Sequence, residues 1–543
     1  MTTTLFHNGR IIDGSGTPSY NGSVFIEDGL IHDVIQSSDP LPQADAVLDA
    51  TGLAIAPGFI DMHSHSDWVL PAEDHSEILK CLVEQGITSI VGGNCGFSPA
   101  PINAKAITLL KPALYLLMAK PFQFKWNSMD GFFDSVQRRN PMLNMAELVG
   151  HASIFAASGD TRRGKMSSQK LNSCLDEVRK ALDEGACGLS FGLGYDPGMY
   201  SPLEEVEAFC AIAKKANKPV AVHLKAFSRV SPCYPITTPK AHNVLALEEM
   251  LNVARKTDVT LQLSHFIFVG RRSWPYGEKC FSLLESAHED GVDVMIDAFP
   301  YTCGNTTILV TLPYWFQEKI PDAYNSTFAR ARLKLEFGLG FRLVGFTYSD
   351  FQVMNSAVPG WENINGLRVS DVAKKWNTSP FNAMLMLAEK SNGAALMLYH
   401  TYSGEPGREE LLDRVLSHHL CLFETDVAIK TSGYPNPASL GTFPKILGHY
   451  ARDRNMFGLE DAVKRMTSAS AERFGLKTIG SLHSGKAADI VIFDPGVISD
   501  TPPEGTRPAD KPKGIKHVFI NGQQVVKDGD YIDGVYAGRV LKI

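Results

Sequence analysis

The most constraining feature of this chain is an alternation of short apolar segments with amphipathic stretches of helical spacing. This alternation predicts parallel strands, because parallel neighbours need a crossover connection that is usually a helix. Helices are predicted, for example, over residues 204–216 and 281–290. We count eight candidate strands, at residues 54–60, 87–91, 145–149, 188–191, 220–223, 260–265, 292–298 and 420–423. Eight such strands would close an α/β barrel of the (β/α)8 TIM type, whose active sites lie at the carboxyl ends of the strands.

Both ends of the chain have a different pattern, in which short β segments are separated by turn residues. Near the carboxyl end, Asn521-Gly522 predicts a tight hairpin. We therefore predict a small β-sandwich domain built from residues 1–54 and 480–543, and a metal-dependent barrel over 55–479. The stretch of about 302–400 is too long for one connection, and we predict a mostly helical insertion able to cover the site.

Two histidines, His63 and His65, directly follow the first apolar segment. Successive strand side chains point to opposite faces, so these two imidazoles would project to the same side. Paired imidazoles in that arrangement suit zinc. Taken alone, a His-x-His sequence is more often a solvent-facing strand end, so the interpretation depends on partners elsewhere in the chain.

Three further predicted strand ends carry side chains that can ligate zinc: Cys95, His223 and His265. A single free cysteine is usually a small buried hydrophobe, and a single histidine is usually hydrogen-bonded in the core. Their equivalent positions in the barrel favour a shared metal instead. Three ligands with an open fourth position for water are typical of a catalytic zinc, which lowers the pKa of the water and polarises a carbonyl.

Asp426 follows the last predicted strand. A carboxylate beside a metal site can take a proton from the attacking water and later deliver it to the leaving nitrogen. The segment alone fits a helix-capping aspartate equally well. With four histidines and Cys95 at the other strand ends, we favour the catalytic role for Asp426.

Composition narrows the class of protein and its partners. The chain is 44% hydrophobic and 20% charged, and its net charge of -7 is spread without long blocks of one sign, which argues against nucleic acid as a partner. No apolar run approaches a membrane span, and the first residues show no secretory signal pattern. Nine cysteines without paired spacing argue against a disulfide framework. We expect a cytoplasmic protein that acts on a small molecule and has no membrane or nucleic-acid partner.

The motifs of the chain resemble the amidohydrolase superfamily, and within it the N-acyl-D-amino-acid deacylases, or D-aminoacylases. The resemblance extends over almost the whole chain and is carried by residues 57–67, 93–101, 148–151, 188–198, 299–302, 441–444 and 485–495. It implies a tightly held zinc on Cys95, His223 and His265. It also implies a weaker second metal position at His63, His65 and Cys95, with Asp426 as the acid and base.

Two departures from the family concern the substrate. Ile267 and Ala438 stand where family members commonly have a lysine and an arginine that help to hold the substrate carboxylate. Four cations could compensate, namely Lys225, Arg271, Arg272 and Lys430. Lys225 is the strongest of them because it follows His223 by two residues on the same strand face. The predicted substrate-binding residues are Lys225 and three residues of the shared motifs, Tyr195, Tyr301 and His151.

The sequence thus predicts a zinc-dependent amidohydrolase that cleaves a non-peptide amide bond, of an N-acyl-D-amino acid or a derivative of one. The alternative among enzymes is a cyclic-amide or other amidohydrolase whose substrate has no free carboxylate. A non-catalytic barrel scaffold is disfavoured, because every ligand position of the predicted metal site is filled.

Overall fold

The computed structural model describes residues 2–159, 164–505 and 507–543 of the chain. Within those residues, a sheet of eight parallel strands forms the centre, and each strand pairs with its neighbour in chain order. The strands are Phe59–Asp61, Ile87–Gly92, Asn144–Gly150, Gly188–Gly192, Val220–His223, Leu261–Leu263, Val294–Ala298 and Cys421–Phe423. The predicted barrel is confirmed, and all the strands except the first lie within two residues of their predicted bounds.

Helices surround this sheet. Those that follow the first six strands are His75–Val83, Ala104–Leu117, Met129–Arg138, His151–Ala157, Ser168–Asp183, Leu203–Lys215, His242–Thr257 and Gly277–Glu289. Those around and after the last strand are Glu410–Leu416, Ala438–Lys445, the π-helix Ile446–Asp453, Leu459–Arg465 and Ser468–Arg473. Among the residues that the structure describes, none of the helices combines the length and the apolar character needed to span a bilayer.

The helix Ser168–Asp183 illustrates how the sequence specifies these elements. Its N-cap residue, Ser167, accepts a hydrogen bond from the backbone N–H of Lys170, which satisfies one of the free donors of the first turn. Buried residues then recur at spacings of three and four, as in Cys174, Val178 and Ala181, so one face packs on the barrel while the opposite face stays polar.

The two chain ends together form a second sheet, whose described part has nine strands. In spatial order it runs Asp530–Tyr531, Gln523–Lys527, Ile515–Ile520, Ile490–Phe493, Ala54–Pro57, Thr3–Ile11, Tyr20–Glu27 and Leu30–Gln36, with Ala46–Asp49 beside Thr3–Ile11. The predicted hairpin is confirmed, since Asn521 and Gly522 connect two paired strands and both have positive φ, 47° and 79°.

The prediction of a single barrel strand over residues 54–60 was wrong. Ala54–Pro57 belongs to the second sheet, and only Phe59–Asp61 belongs to the barrel. Gly58 separates them, and a Cβ atom at this position would lie 2.1 Å from the Oγ1 atom of Thr88. The boundary between the two sheets therefore lies at Gly58 and not after residue 54. An apolar segment suits both sheets equally, so its composition could not reveal the break.

The stretch 302–400, all of which is described, contains sheet as well as helix. Its helices are Tyr314–Gln317, Asp322–Asn325, Thr327–Val344, Val369–Lys375 and Pro380–Lys390, and its antiparallel strands are Cys303–Thr307, Leu396–His400 and Phe351–Asn355 in spatial order. The sheet was not predicted. This insertion has its own apolar core. It contacts the segment after the last barrel strand through the backbone N–H of Tyr434, which donates to the carbonyl of Met354 at 2.7 Å.

Candidate metal centre

The first and last barrel strands are the two ends of the parallel sheet, and hydrogen bonds just beyond their carboxyl ends connect them. The carboxylate of Asp61 accepts from the backbone N–H of Thr425 at 3.0 Å and from its hydroxyl at 2.7 Å. The N–H of Asp426 donates to the carbonyl of His63 at 3.0 Å, and the N–H of His65 to that of Val427 at 3.1 Å. This seam places Asp426 directly beside the His63-x-His65 segment.

His63 and His65 lie in a bend after the first strand and not on the strand itself, which ends at Asp61. Their rings nevertheless face one region, with centroids 5.6 Å apart. The Nε2 atoms of His63 and His65 lie 3.4 Å and 3.5 Å from the same carboxylate oxygen of Asp426. The predicted convergence of the two rings is therefore present, although the chain reaches it by a turn.

The thiol of Cys95 lies at the centre of the predicted cluster. Its Sγ atom is 3.4 Å from Nε2 of His63, 3.4 Å from Nε2 of His265 and 3.7 Å from Nδ1 of His223. The facing nitrogens of His223 and His265 are 2.8 Å apart. Cys95 thus contacts both the pair from the fifth and sixth strands and the segment after the first.

Three residues of this cluster have left-handed backbone conformations, with φ of 54° at Cys95, 31° at His265 and 48° at Asp426. A non-glycine residue held in such a conformation costs about 1–3 kcal/mol, and such residues concentrate at functional sites. The surrounding fold must therefore hold these side chains against local backbone preference, which is a sign of functional constraint.

The spacing of these atoms fits a zinc ion. Zinc with bonds of about 2.3 Å to sulfur and about 2.0 Å to nitrogen in a tetrahedral arrangement separates a sulfur ligand from a nitrogen ligand by about 3.5 Å. The observed separations of 3.4–3.7 Å around Sγ of Cys95 agree with this value. Two of the residue groups that could hold an ion share Cys95: Cys95, His223 and His265, and His63, His65, Cys95 and Asp426.

The charges around the cluster favour a metal ion. Burial raises the pKa of the Cys95 thiol, but the nearby His63 and His265 outweigh it and bring that pKa well below its usual range. Burial likewise opposes ionisation of Asp426, whereas His265 and His65 lower its pKa below the usual value. A thiolate and a carboxylate are the forms of these side chains that bind metal ions.

Asp297 contacts the imidazole of His63 and the backbone of His265 and was not predicted from the sequence. Its Oδ1 atom accepts from the backbone N–H of His265 at 2.6 Å and lies 3.4 Å from Nδ1 of His63. Its Oδ2 atom accepts from the side-chain amide of Gln262 at 2.7 Å. Carboxylates in this position orient metal-ligating imidazoles. The available signal was an acidic residue in the otherwise apolar strand Val294–Ala298.

A buried pair of carboxyl groups, Asp67 and Glu147, lies behind the turn that carries Cys95. Asp67 accepts from the backbone N–H of Gly93 at 3.1 Å. A Cβ atom on Gly92 would lie 2.5 Å from a carboxyl oxygen of Glu147, so only glycine fits there. Burial and the neighbouring Asp67 raise the pKa of Glu147 well above its usual value, which keeps this group neutral. The pair shapes the turn, and Glu147 adds no charge to the cluster.

Of the four predicted substrate-binding residues, the structure brings Tyr195 to the cluster. Its hydroxyl donates to the carbonyl of Cys95 at 3.0 Å, and its ring centroid lies 4.6 Å from that of His223. Tyr301 instead donates to the carboxylate of Asp500 at 3.1 Å. Lys225 has its ammonium 3.9 Å from the carboxylate of Glu249, so it already faces an anion.

His151 is buried away from the cluster, against the aromatic rings of Phe191 and Phe209 at 5.0 Å and 5.1 Å. Neither ring nitrogen has a hydrogen-bond partner among the described residues. Burial lowers the pKa of this histidine to about 4, so it is neutral at physiological pH. Its place in a shared motif suggested contact with substrate, but the helix that begins at His151 turns the side chain into the core.

Two aromatic residues near the cluster were missed. The ring of Phe227 lies 4.8 Å from that of His223 and 5.0 Å from that of His265. Burial, together with the nearby charge of Asp426, raises the pKa of Tyr402. Both residues lie in connections between elements, where no periodic pattern marks a side chain that faces the site.

The other candidate cations differ in their surroundings. The guanidinium of Arg271 donates to both carboxylate oxygens of Asp350, at 2.8 Å and 2.9 Å, and also to Glu405. It therefore holds the insertion against the barrel and is not available to a substrate. Arg272 is exposed to solvent. Lys430 is mostly buried and donates to the backbone carbonyls of Tyr115 and Met118.

Comparison with known proteins agrees with this geometry. Residues 421–526 match the model of a family described as the amidohydrolase family. The chain is 28% identical over 538 residues to a D-aminoacylase from Alcaligenes xylosoxydans xylosoxydans. The alignment covers 99% of this chain and 97% of that protein. The chain is similar to amidohydrolases over its whole length.

Solved structures resemble this chain over the same length. An N-acyl-D-glutamate deacylase from Bordetella bronchiseptica, complexed with zinc and a phosphonate inhibitor that mimics the tetrahedral intermediate, superposes with a TM-score of 0.78 at 26% identity. A D-aminoacylase described as having a binuclear metal centre superposes with a TM-score of 0.79, also at 26% identity. Each match covers 99% of both chains.

Proposed function

We propose that this amidohydrolase uses zinc to hydrolyse the amide bond of N-acyl-D-amino acids or their derivatives. The observation that supports this most strongly is the thiol of Cys95, which has imidazole nitrogens from three parts of the barrel within 3.4–3.7 Å. The similarity of the whole chain to D-aminoacylases supports the same substrate class.

Cys95, His223 and His265 would hold a tightly bound zinc, and His63, His65 and Cys95 a weaker second ion. When bound, zinc lowers the pKa of a water molecule and polarises the scissile carbonyl. The thiolate of Cys95 belongs to both sets, so a metal in one position reduces the negative charge available to the other. That sharing supports one tight and one weaker position.

Asp426 is the residue that moves the proton in this proposal. Its pKa lies below the usual value, so it is ionised at neutral pH and can accept a proton from the attacking water. It then protonates the departing nitrogen. The contacts of its carboxylate with Nε2 of His63 and His65 support its orientation toward the cluster.

The cysteines support a reducing compartment, which we propose to be the cytoplasm. All nine lie within the described residues and none forms a disulfide, and most are buried. A thiolate metal ligand such as Cys95 is also preserved best where thiols stay reduced.

A cyclic amide or another substrate without a free carboxylate is the second candidate. Ala438 is buried at the start of the helix Ala438–Lys445, and Ile267 packs against the apolar core. Neither can bind a carboxylate, and this observation favours a substrate that lacks one.

The test is to purify the protein, measure its zinc by mass spectrometry and assay N-acetyl-D-glutamate, N-acetyl-L-glutamate and hydantoin. We expect bound zinc and turnover of the D-configured acid above the other two. Preferred hydrolysis of hydantoin would support the second candidate, and a protein with neither zinc nor hydrolytic activity would refute both.

A further inference from the structure

A pocket of about 210 Å³ lies where the segments that follow the second and last barrel strands meet the insertion. Tyr115 and Met118 line it from the end of the helix after the Cys95 turn. Asn355 lines it from the insertion, and Lys430 and Ser432 from the segment after the last strand. The pocket is therefore bordered by the continuations of two of the segments that supply the cluster, those that carry Cys95 and Asp426.

Lys430 is the only charged residue among those that line the pocket, all of which are described. Its ammonium donates to the carbonyls of Tyr115, at 2.9 Å, and Met118. An ammonium group has three donors, so one remains for a ligand. No carboxylate of the described residues lies within ion-pair distance of Lys430.

An amine in this position needs a compensating group. Burial lowers the pKa of Lys430 to about 7, because its charge is removed from water without an anion nearby. A cation kept in such a place is costly to the fold unless an anion pairs with it. Two neutral polar groups lie in the same pocket, the amide of Asn355 and the hydroxyl of Ser432. The Nδ2 atom of Asn355 donates to the Oγ atom of Ser432 at 3.1 Å.

We propose that this pocket binds a carboxylate of the substrate through Lys430, in place of the basic residues that are absent at positions 267 and 438. The inference rests on the proposed function. Lys430 follows Asp426 by four residues, and a chain of that length spans at most about 14 Å. The carboxylate is either the α-carboxylate or that of an acidic side chain, since both present the same acceptor to the ammonium.

The test uses N-acetyl-D-glutamate and its two monoamides. N-acetyl-D-glutamine keeps only the α-carboxylate, and N-acetyl-D-isoglutamine keeps only the side-chain carboxylate. In the Lys430→Met variant, we expect KM to rise roughly 10- to 100-fold for the diacid and for the monoamide that retains the recognised group. The kcat of these substrates and the kinetics of the other monoamide should change less than about twofold. The monoamide that is affected identifies the carboxylate.

Two variants serve as controls. Lys430→Arg keeps the charge and should recover part of the lost affinity. Lys120→Met removes a lysine next to the pocket-lining Ala119, but Lys120 already pairs with Asp74, and its KM values should match those of the unaltered enzyme. Equal changes for all three substrates in Lys430→Met, or no change for any of them, would overturn the proposal.

Calorimetry separates failure of the pocket from failure of the proposed function. Binding of N-acetyl-D-glutamate is measured in zinc-loaded Asp426→Asn protein, with and without Lys430→Met. If the unaltered enzyme hydrolyses none of the compounds but binding depends on Lys430, the proposed function is refuted and the proposed role of the pocket in carboxylate binding is supported. If hydrolysis is normal and neither KM nor binding depends on Lys430, the pocket alone is refuted.

Discussion

The two halves of the cluster share Cys95 but are held by different parts of the fold. His223 and His265 follow the fifth and sixth strands, which pair directly through Val220 and Leu261 and the residues after them. His63, His65 and Asp426 lie where the first and last strands meet. There, within the described residues, the connection is made by hydrogen bonds beyond the strands and not by a ladder between them.

This difference indicates a division of labour between the two halves. A β-ladder fixes the first half through many backbone hydrogen bonds, which suits tight metal binding. The second half depends on a few contacts at the seam, chiefly those of Asp61 with Thr425, and it carries Asp426, which we propose moves the proton. Substitutions at Asp426 or the seam should therefore lower turnover without loss of tightly bound zinc, whereas loss of Cys95 removes a ligand from both halves.

Replacement of Cys95 by alanine is expected to have the largest effect, because it removes a ligand from both halves. We expect loss of most bound zinc and a fall in kcat/KM of about 1,000-fold or more, as the metal contributes several kcal/mol to the transition state. Zinc analysis and steady-state kinetics measure the two effects. Cys81→Ala is the matched control, since Cys81 lies outside the cluster. A zinc-loaded, active Cys95→Ala enzyme would remove the shared thiolate from the model of the site.

Asp426→Asn should separate the halves. The amide keeps the size of the side chain but cannot accept the proton, so kcat should fall by at least about 100-fold. Zinc held by the first half should remain at the level of the unaltered enzyme, as measured by mass spectrometry. Loss of zinc together with activity would show that the seam contributes to tight zinc binding. The assignment of metal binding to the first half alone would then be wrong.

The residues of the first half could be predicted because strand ends converge in a barrel, whichever way the chain turns afterwards. His223, directly at the end of Val220–His223, needed only the correct strand assignment. The support from Asp297 could not be predicted in the same way. Its role depends on a contact across the barrel with His63, and no local pattern encodes such a contact.

The second half and the substrate side were harder to predict, for physical reasons. His63 and His65 reach the cluster through a bend that hydrogen bonds from a segment over 300 residues away hold in place. The direction of a side chain after a strand depends on the next turn, and a motif match does not give it. His151 therefore lies in the core although its motif is present.

A third prediction concerns the effect of pH on the pocket that contains Lys430. Lys430 has a pKa of about 7, so the ammonium form that attracts a carboxylate is lost as pH rises above that value. The KM for the recognised acid should rise at least about tenfold between pH 7 and pH 9. Tyr115 is the other titratable side chain that lines the pocket. In Lys430→Met, KM should be high and independent of pH. If KM in that variant still rises with pH as in the unaltered enzyme, a group other than Lys430 causes the pH dependence.

The smallest expected effect comes from the seam itself. Thr425→Val removes the hydroxyl that donates to the buried carboxylate of Asp61 at 2.7 Å. We expect the free energy of unfolding to fall by about 1–3 kcal/mol, because the acceptor is charged and buried. The next residue is Asp426, so kcat should also fall a few-fold as the carboxylate loses its position, whereas zinc bound by the first half should be unaffected.

Thr467→Val provides the matched control for the seam. Thr467 is also fully buried, and its hydroxyl donates to the carbonyl of Val463 at 2.6 Å, within a helical turn remote from the cluster. It should lose stability by a comparable amount, measured by urea denaturation, and keep its kcat. Equal kcat losses in the two variants would mean that turnover follows global stability. A loss confined to Thr425→Val would show that closure of the barrel positions the proton-transfer residue.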